Sequence, residues 1–354
     1  MSKNYARRDI QAIAGYTPGE QPRMNRLIKL NTNENPYPPS PGVAAALAGL
    51  DWKALRRYPD PTALQLRQAA AQLLGVPEER IICGNGSDDL LTIALRTFVG
   101  AGESFAFPEP SYSLYPVLAQ LQGAIPRPVQ LDKDFGLPED FAAQCADARL
   151  VIIARPNAPT GNAFPKEQVR RLASEVDCVL WIDEAYADFA DDNCLDLVDE
   201  FPNVVVSRTF SKSYSLAGLR MGMAFAQEPL IFEMNKLKDS YNTDRIAQAV
   251  AMAALRDQRQ LQLNTNRIRH TREDATRELR LHGCDVLPSQ ANFIFVRPAH
   301  KAAGQLFAEL RERGLLVRYF ALPRIDDRIR ITIGTDEEMR EFLDAWKELD
   351  QQPQ

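Results

Sequence analysis

Between residues 80 and 226, short apolar runs alternate with amphipathic segments, and run after run breaks off into glycine, proline or small polar residues. Ile81-Ile82-Cys83, Phe105-Ala106-Phe107, Leu150 to Ala154, Cys178 to Ile182, Val204 to Val206 and Met221 to Ala226 read as strands. Helical patterns fall at about 62–74, after residue 87 with Leu90, Leu91, Ala94, Leu95 and Phe98 on one face, and at about 165–175. Such alternation predicts a mostly parallel sheet covered by helices on both faces, an α/β domain of three layers. Ligands of these sheets bind beyond the carboxyl ends of the strands, where the polar loops of this chain lie.

After Tyr241-Asn242-Thr243-Asp244 the chain becomes helical and highly charged to about 282. Helices at about 301–313 and 336–348 then interleave with strands at Ala291 to Val296, Leu315 to Tyr319 and Arg328 to Ile333, which predicts a smaller α+β domain. At 354 residues the chain exceeds what one hydrophobic core usually supports, so two lobes are expected. The division expected is an arm over 1–40, a large domain over 41–245 and a small C-terminal domain over 246–354. The arm is rich in turn formers, Gly15 to Gly19 and Asn33 to Pro39, and is laid over the body.

Apolar residues at 45% and charged residues at 25% exclude a disordered or fibrous chain. No run of 18 apolar residues predicts a membrane span, and the N-terminus lacks the apolar stretch of a secretory signal. A net charge of -5 with no long block of either sign argues against nucleic acid as a partner. Five cysteines, odd in number and widely spaced, indicate neither a disulfide framework nor a zinc site and suit a reducing cytoplasm; no metal is expected.

The chemistry concentrates in the loops. Ser211, Lys212 and Arg220 follow the Val204 strand and combine a hydroxyl, an amine and a guanidinium, a set that suits a phosphorylated aldehyde cofactor. Gly84-Asn85-Gly86-Ser87-Asp88 joins a strand to a helix. It reads equally as a phosphate-binding junction and as a plain turn with Ser87 as helix cap. Pro108 to Tyr112 forms a proline-fixed turn, on which Tyr112 either lies against a planar ring or belongs to the core. Asp183 ends an apolar strand, where a buried carboxylate needs a partner, and Tyr186 follows three residues later. Arg330 lies in an alternating strand whose outward face is the plainer reading. His270, His282 and His300 take no role.

Taken in order, Gly86-Ser87-Asp88, Tyr112, Asp183, Tyr186, Ser211-Lys212 and Arg220 resemble the pattern of pyridoxal-phosphate (PLP) aminotransferases of fold type I along the whole chain. Asn33-Glu34-Asn35-Pro36, Arg57-Tyr58-Pro59, Asp183-Glu184-Ala185-Tyr186, Arg208 to Lys212, Leu316-Val317-Arg318 and Arg328 to Thr335 narrow the resemblance to the histidinol-phosphate aminotransferases. The resemblance implies a Schiff-base lysine at Lys212, Asp183 on the cofactor's pyridine nitrogen and Tyr186 on its phenolic oxygen. It implies Ser87, Asp88, Thr209, Ser211 and Arg220 around the cofactor phosphate, with Tyr58 reaching it from the partner subunit of a homodimer. Arg330 and Arg318 would bind substrate phosphate and carboxylates, with Tyr16 and Asn35 of the arm closing over them. The implied reaction moves an amino group between histidinol phosphate and 2-oxoglutarate. In one place the pattern is broken. The family's asparagine before Pro-Thr-Gly is Ala158 here, and Asn157, one residue early, is the candidate to replace it. A phosphoamino-acid decarboxylase and an aromatic amino-acid aminotransferase share the same lysine chemistry and are the alternatives.

Overall fold

The computed structural model describes residues 4–17, 19–22 and 26–351. A seven-stranded sheet forms its centre: β1 (Ile81–Gly84), β2 (Ser104–Glu109), β3 (Ile125–Gln130), β4 (Ala148–Ala154), β5 (Val179–Asp183), β6 (Val204–Thr209) and β7 (Gly222–Ala226), in the spatial order β1-β7-β6-β5-β4-β2-β3. All strands run parallel except β7, which is antiparallel to both β1 and β6. The three-layer α/β expectation is met. Val204 and Val206 enter the core on one face of the sheet while Val205 enters the core on the other, as a strand covered on both sides requires.

The sequence reading passed over β3, whose Ile125-Pro126-Arg127-Pro128 is exposed. Two prolines suit an edge strand, where a missing N–H leaves no ladder bond unmade, and they also erase the apolar pattern.

The second lobe has its own core around Phe342, Trp346, Leu306 and Ile331. Its antiparallel sheet joins Asp285–Val286, Phe293–Arg297, Ile329–Thr332 and Arg318–Tyr319. The single strand expected over Leu315 to Tyr319 is divided. Leu315–Leu316 pairs in parallel with Ile28–Lys29 of the arm, and only Arg318–Tyr319 joins the larger ladder. The arm is stitched to this lobe again further on, where the Thr332 N–H donates to the Leu30 carbonyl at 2.9 Å.

Helix Arg245–Arg256 lies beyond the expected division at 245, yet its Ala247, Val250, Ala251, Ala254 and Leu255 pack into the core of the large sheet. By packing, the second lobe begins only with the long helix Gln258–Leu281, whose Ile268, Ala275 and Leu279 enter the other core. Most of the charge of this region is exposed, but Arg272 of the long helix is buried and donates to the Ala291 carbonyl at 2.8 Å.

No helix among the described residues is long and apolar enough to cross a membrane.

Candidate active site

Six strands end at one edge of the large sheet, and because β7 runs the other way, it begins there. Arg220, in the loop that joins the carboxyl end of β6 to the start of β7, therefore belongs to this edge, as expected of a motif at a strand's carboxyl end. The residues at these ends face the arm and the second lobe across a pocket.

Asp183 is the last residue of β5, level with Ala154 on one side and Ser207 on the other. Its carboxylate is buried and accepts from the Tyr115 hydroxyl at 3.1 Å and from Ser207 at 3.4 Å. Trp181 donates its indole N–H to the same Ser207 oxygen at 2.9 Å, which fixes that hydroxyl. Burial pushes the Asp183 carboxyl up to about 6 against the Tyr115 hydrogen bond. A carboxylate held this way is stabilised by a cationic partner.

Lys212 stands in the loop after β6 and donates to the Thr32 carbonyl of the arm at 3.1 Å. Burial and the nearby Arg330 charge bring its ammonium down to about 8, so the neutral, nucleophilic amine is within reach near neutrality.

At the end of β1, Gly86 adopts φ +85° and helix Ser87–Phe98 begins. Gly86 is the capping position and Ser87 is already the first helical residue, so the helix-cap reading of Ser87 fails, and Ser87 lines the pocket. Arg220, itself in the left-handed region at φ +57°, donates to Ser211 at 3.2 Å and pairs with Asp88 at 3.3 Å. Thr209 donates to Ser211 at 3.0 Å, and Tyr112 to Asp88 at 3.2 Å. Two glycines make this corner possible. A Cβ on Gly222 would stand 2.8 Å from the Gly86 carbonyl carbon and from the Ser87 nitrogen, and one on Gly86 would meet the Arg220 guanidinium at 2.6 Å. Helix-terminal N–H groups, three hydroxyls and a guanidinium form a receptor for a phosphate.

Opposite them, Arg330 donates through Nη2 to the Asn31 carbonyl at 2.8 Å, between the rings of Phe293 and Phe320. Its Nε is buried without a partner. Buried donors are almost always paired, so this N–H calls for an anionic ligand. Arg318 lies beside it over Phe320 and donates to the Thr17 carbonyl at 3.2 Å.

Residues 25–345 match the model of the aminotransferase class I and II family. The chain is 46% identical over 337 residues to the histidinol-phosphate aminotransferase of Synechocystis sp., covering 95% of this chain and 96% of that protein. It belongs to the histidinol-phosphate aminotransferase family. The protein of that name from Syntrophotalea carbinolica is also 46% identical, over 97% of this chain and 98% of the relative. Among solved structures, histidinol-phosphate aminotransferase from Sinorhizobium meliloti in complex with pyridoxal-5'-phosphate superposes with a TM-score of 0.90 at 28% identity, covering 99% of this chain and 98% of that one.

In this aminotransferase, Ser87, Asp88, Tyr112, Asp183, Tyr186, Thr209, Ser211, Lys212, Arg220, Tyr16, Arg318 and Arg330 line the one pocket. Tyr112 also packs partly against the core, so it has a core contact as well as a place on the pocket wall. Arg330 turns inward, because the sheet of the second lobe presents this face to the pocket rather than to solvent. Three expected residues lie elsewhere. Asn157 is fully buried behind the pocket wall, its amide donating to Pro110 at 3.0 Å and Thr160 at 2.8 Å and accepting from Ser111 at 2.7 Å, while Ala158 faces the pocket. It cannot replace the missing asparagine. Asn35 instead holds the Lys212 loop, donating to the carbonyls of Lys212 and Ser213 at 3.1 Å. Tyr58 is 74% exposed, stacked on Tyr241, outside this chain's own pocket.

Sequence reasoning missed Tyr115, hidden among apolar neighbours of a helix, and gave no role to Thr32 or Asn33. His270, His282 and His300 lie outside the pocket. Among the described residues no His, Cys, Asp and Glu group could hold a metal.

Proposed function

We propose that this chain transfers the amino group of L-histidinol phosphate to 2-oxoglutarate, giving imidazole-acetol phosphate and glutamate in histidine biosynthesis in the cytoplasm, with pyridoxal 5'-phosphate as cofactor. The observation that carries this reading is the convergence on one pocket of an amine lowered to about 8, a buried carboxylate raised to about 6 and a buried guanidinium N–H without a partner.

The residues fit the cofactor. The close approach of Gly222 to Gly86 supports a phosphate seat at Ser87, Thr209, Ser211 and Arg220. The raised Asp183 carboxyl suits a protonated ring nitrogen, and Tyr186 suits the phenolic oxygen. When bound, the cofactor supplies a carbonyl for the amino group and a ring that withdraws electrons from the substrate's Cα. Lys212 would hold the cofactor through that carbonyl and, when freed by substrate, would be the base that takes the proton from Cα. Asp183 keeps the ring nitrogen protonated. Tyr112 covers one side of the ring site. Arg330 and Arg318 take the substrate phosphate in one half-reaction and carboxylates in the other, since a guanidinium fork pairs with either anion. Tyr16 of the arm lies across the opening, and Asn35 steadies the Lys212 loop.

A homodimer with shared sites completes the reading. Exposed Trp52, Leu55 and Tyr58 form an apolar patch next to the large lobe's first helices, which supports an interface there, with Tyr58 directed to the partner's phosphate seat.

Single half-reactions with histidinol phosphate, histidinol and glutamate test the assignment, followed by the loss of the aldehyde form of the cofactor. Histidinol phosphate should react far faster than histidinol. Equal rates for the two would sink the substrate assignment.

A further inference from the structure

Ala158 leaves the phenolic-oxygen side of the pocket without the asparagine found there in the family, and Asn157 is spent behind the wall. Tyr186 is then the donor that remains. Its ring is wedged edge-on against Phe293 with centroids 5.1 Å apart, and Ala158 packs beside it. What fixes its hydroxyl comes from the arm. Asn33 Nδ2 donates to the Tyr186 oxygen at 2.8 Å.

The orientation of that amide is set by three further bonds. Thr332, two residues beyond Arg330 on the same strand, donates to Asn33 Oδ1 at 3.0 Å and accepts from the Asn33 backbone N–H at 3.0 Å. Asn292 donates to the Asn33 carbonyl at 3.0 Å. With its oxygen engaged by Thr332, the amide presents its NH2 group to Tyr186. The backbone at Asn33 is left-handed, φ +55°, a conformation that asparagine tolerates better than other non-glycine residues. The side chain is 1% exposed, so no water competes for the contact.

We infer that Asn33 is a positioning residue for Tyr186: its amide fills the acceptor side of the Tyr186 hydroxyl and leaves the hydroxyl proton for the cofactor's phenolic oxygen, which offsets the donor lost at Ala158. The inference rests on the pocket being the cofactor site. A phenol that accepts a hydrogen bond is a better donor in turn, and hydrogen bonds in chains reinforce one another. Burial pushes Tyr186 up, while Arg330 and the Asn33 amide oppose that rise.

The test is the pH midpoint of the visible absorbance change of the bound cofactor, without substrate. Asn33→Gly removes the amide and accepts the positive φ; it should raise the midpoint by roughly 0.4 to 1 pH unit, the equivalent of one hydrogen bond. Tyr186→Phe should raise it too, and adding Asn33→Gly to Tyr186→Phe should then change nothing further. An unmoved midpoint in Asn33→Gly, or an equal shift in the Tyr186→Phe background, would overturn the role of Asn33. If Asn33→Gly does not fold, Asn33→Asp keeps the acceptor for Thr332 without a donor for Tyr186. It should shift the midpoint upward, and an unchanged midpoint again overturns the inference. A wild type that shows no cofactor absorbance at all would instead remove the reading of the pocket on which this rests.

Discussion

Arg318 and Arg330 are paired residue for residue across an antiparallel ladder, and both guanidinium groups lie over the single ring of Phe320. Burial, with the charge of Arg318 in support, makes the Arg330 cation harder to hold than an exposed one. Two like charges kept together in this way are relieved by an anion between them. Arg330→Ala should therefore lower kcat/KM for histidinol phosphate and for glutamate alike, by roughly 30- to several-thousand-fold, as expected for about 2 to 5 kcal/mol. Dephosphorylated histidinol should suffer much less. An unchanged glutamate rate would refute a shared anion site.

Lys212→Ala should reduce transamination on the order of 10³-fold or more while the phosphate seat still binds the cofactor. Borohydride reduction of the wild type and peptide mapping should place the adduct on Lys212. An adduct on Lys236 or Lys238 would contradict the proposed organisation.

The pH behaviour of the amine follows from its surroundings. Capture of the cofactor by the cofactor-free protein needs neutral Lys212, so its rate should rise with pH and level off above about 8. Arg330→Gln removes a charge that disfavours the ammonium form and should move this midpoint upward. The same group makes folding stability climb between about 8 and the value of about 10.4 for a free lysine, because the unfolded chain binds the extra proton there. A midpoint that stays in place in Arg330→Gln would show that the two charges do not interact.

Gly222→Ala inserts a methyl group against backbone atoms that cannot turn away. It should destabilise the protein by about 1 to 3 kcal/mol, measured by denaturant unfolding, and weaken cofactor affinity by widening the β1–β7 corner. Wild-type affinity with wild-type stability would mean that the corner yields freely.

The dimer proposal can be tested by complementation. Mixed subunits of Tyr58→Ala and Lys212→Ala should recover about a quarter of wild-type activity, since half the dimers are mixed and each has one intact site. No recovery after proven exchange, or a fully active monomer, would rule out the borrowed tyrosine.

Much of this was legible in the sequence because buried parallel strands leave uninterrupted apolar runs, and their polar ends mark the site. Asp183, Lys212 and Arg220 stand out against such neighbours. What stayed hidden depends on direction rather than composition. An extended turn shows its residues to alternate sides, so Asn157 and Ala158 exchange the roles that their identities suggest. Tyr115 is one aromatic among many until the sheet edge is assembled. The inward face of Arg330 depends on how the second lobe docks, which a two-residue period cannot report.

The arm's pairing with Leu315–Leu316 and Thr332 has a mechanical meaning. Though first in the chain, Ile28 to Asn33 ride with the last third of it. Any tilt of that lobe against the large sheet moves the Thr32 carbonyl, the Asn33 amide and the Arg330 guanidinium as one jaw, while Lys212, Asp183 and the phosphate corner stay with the other. A tilt that parted the two would also part Lys212 from the Thr32 carbonyl and Tyr186 from the Asn33 amide, so the lysine's tether and the anion clamp are coupled through one segment.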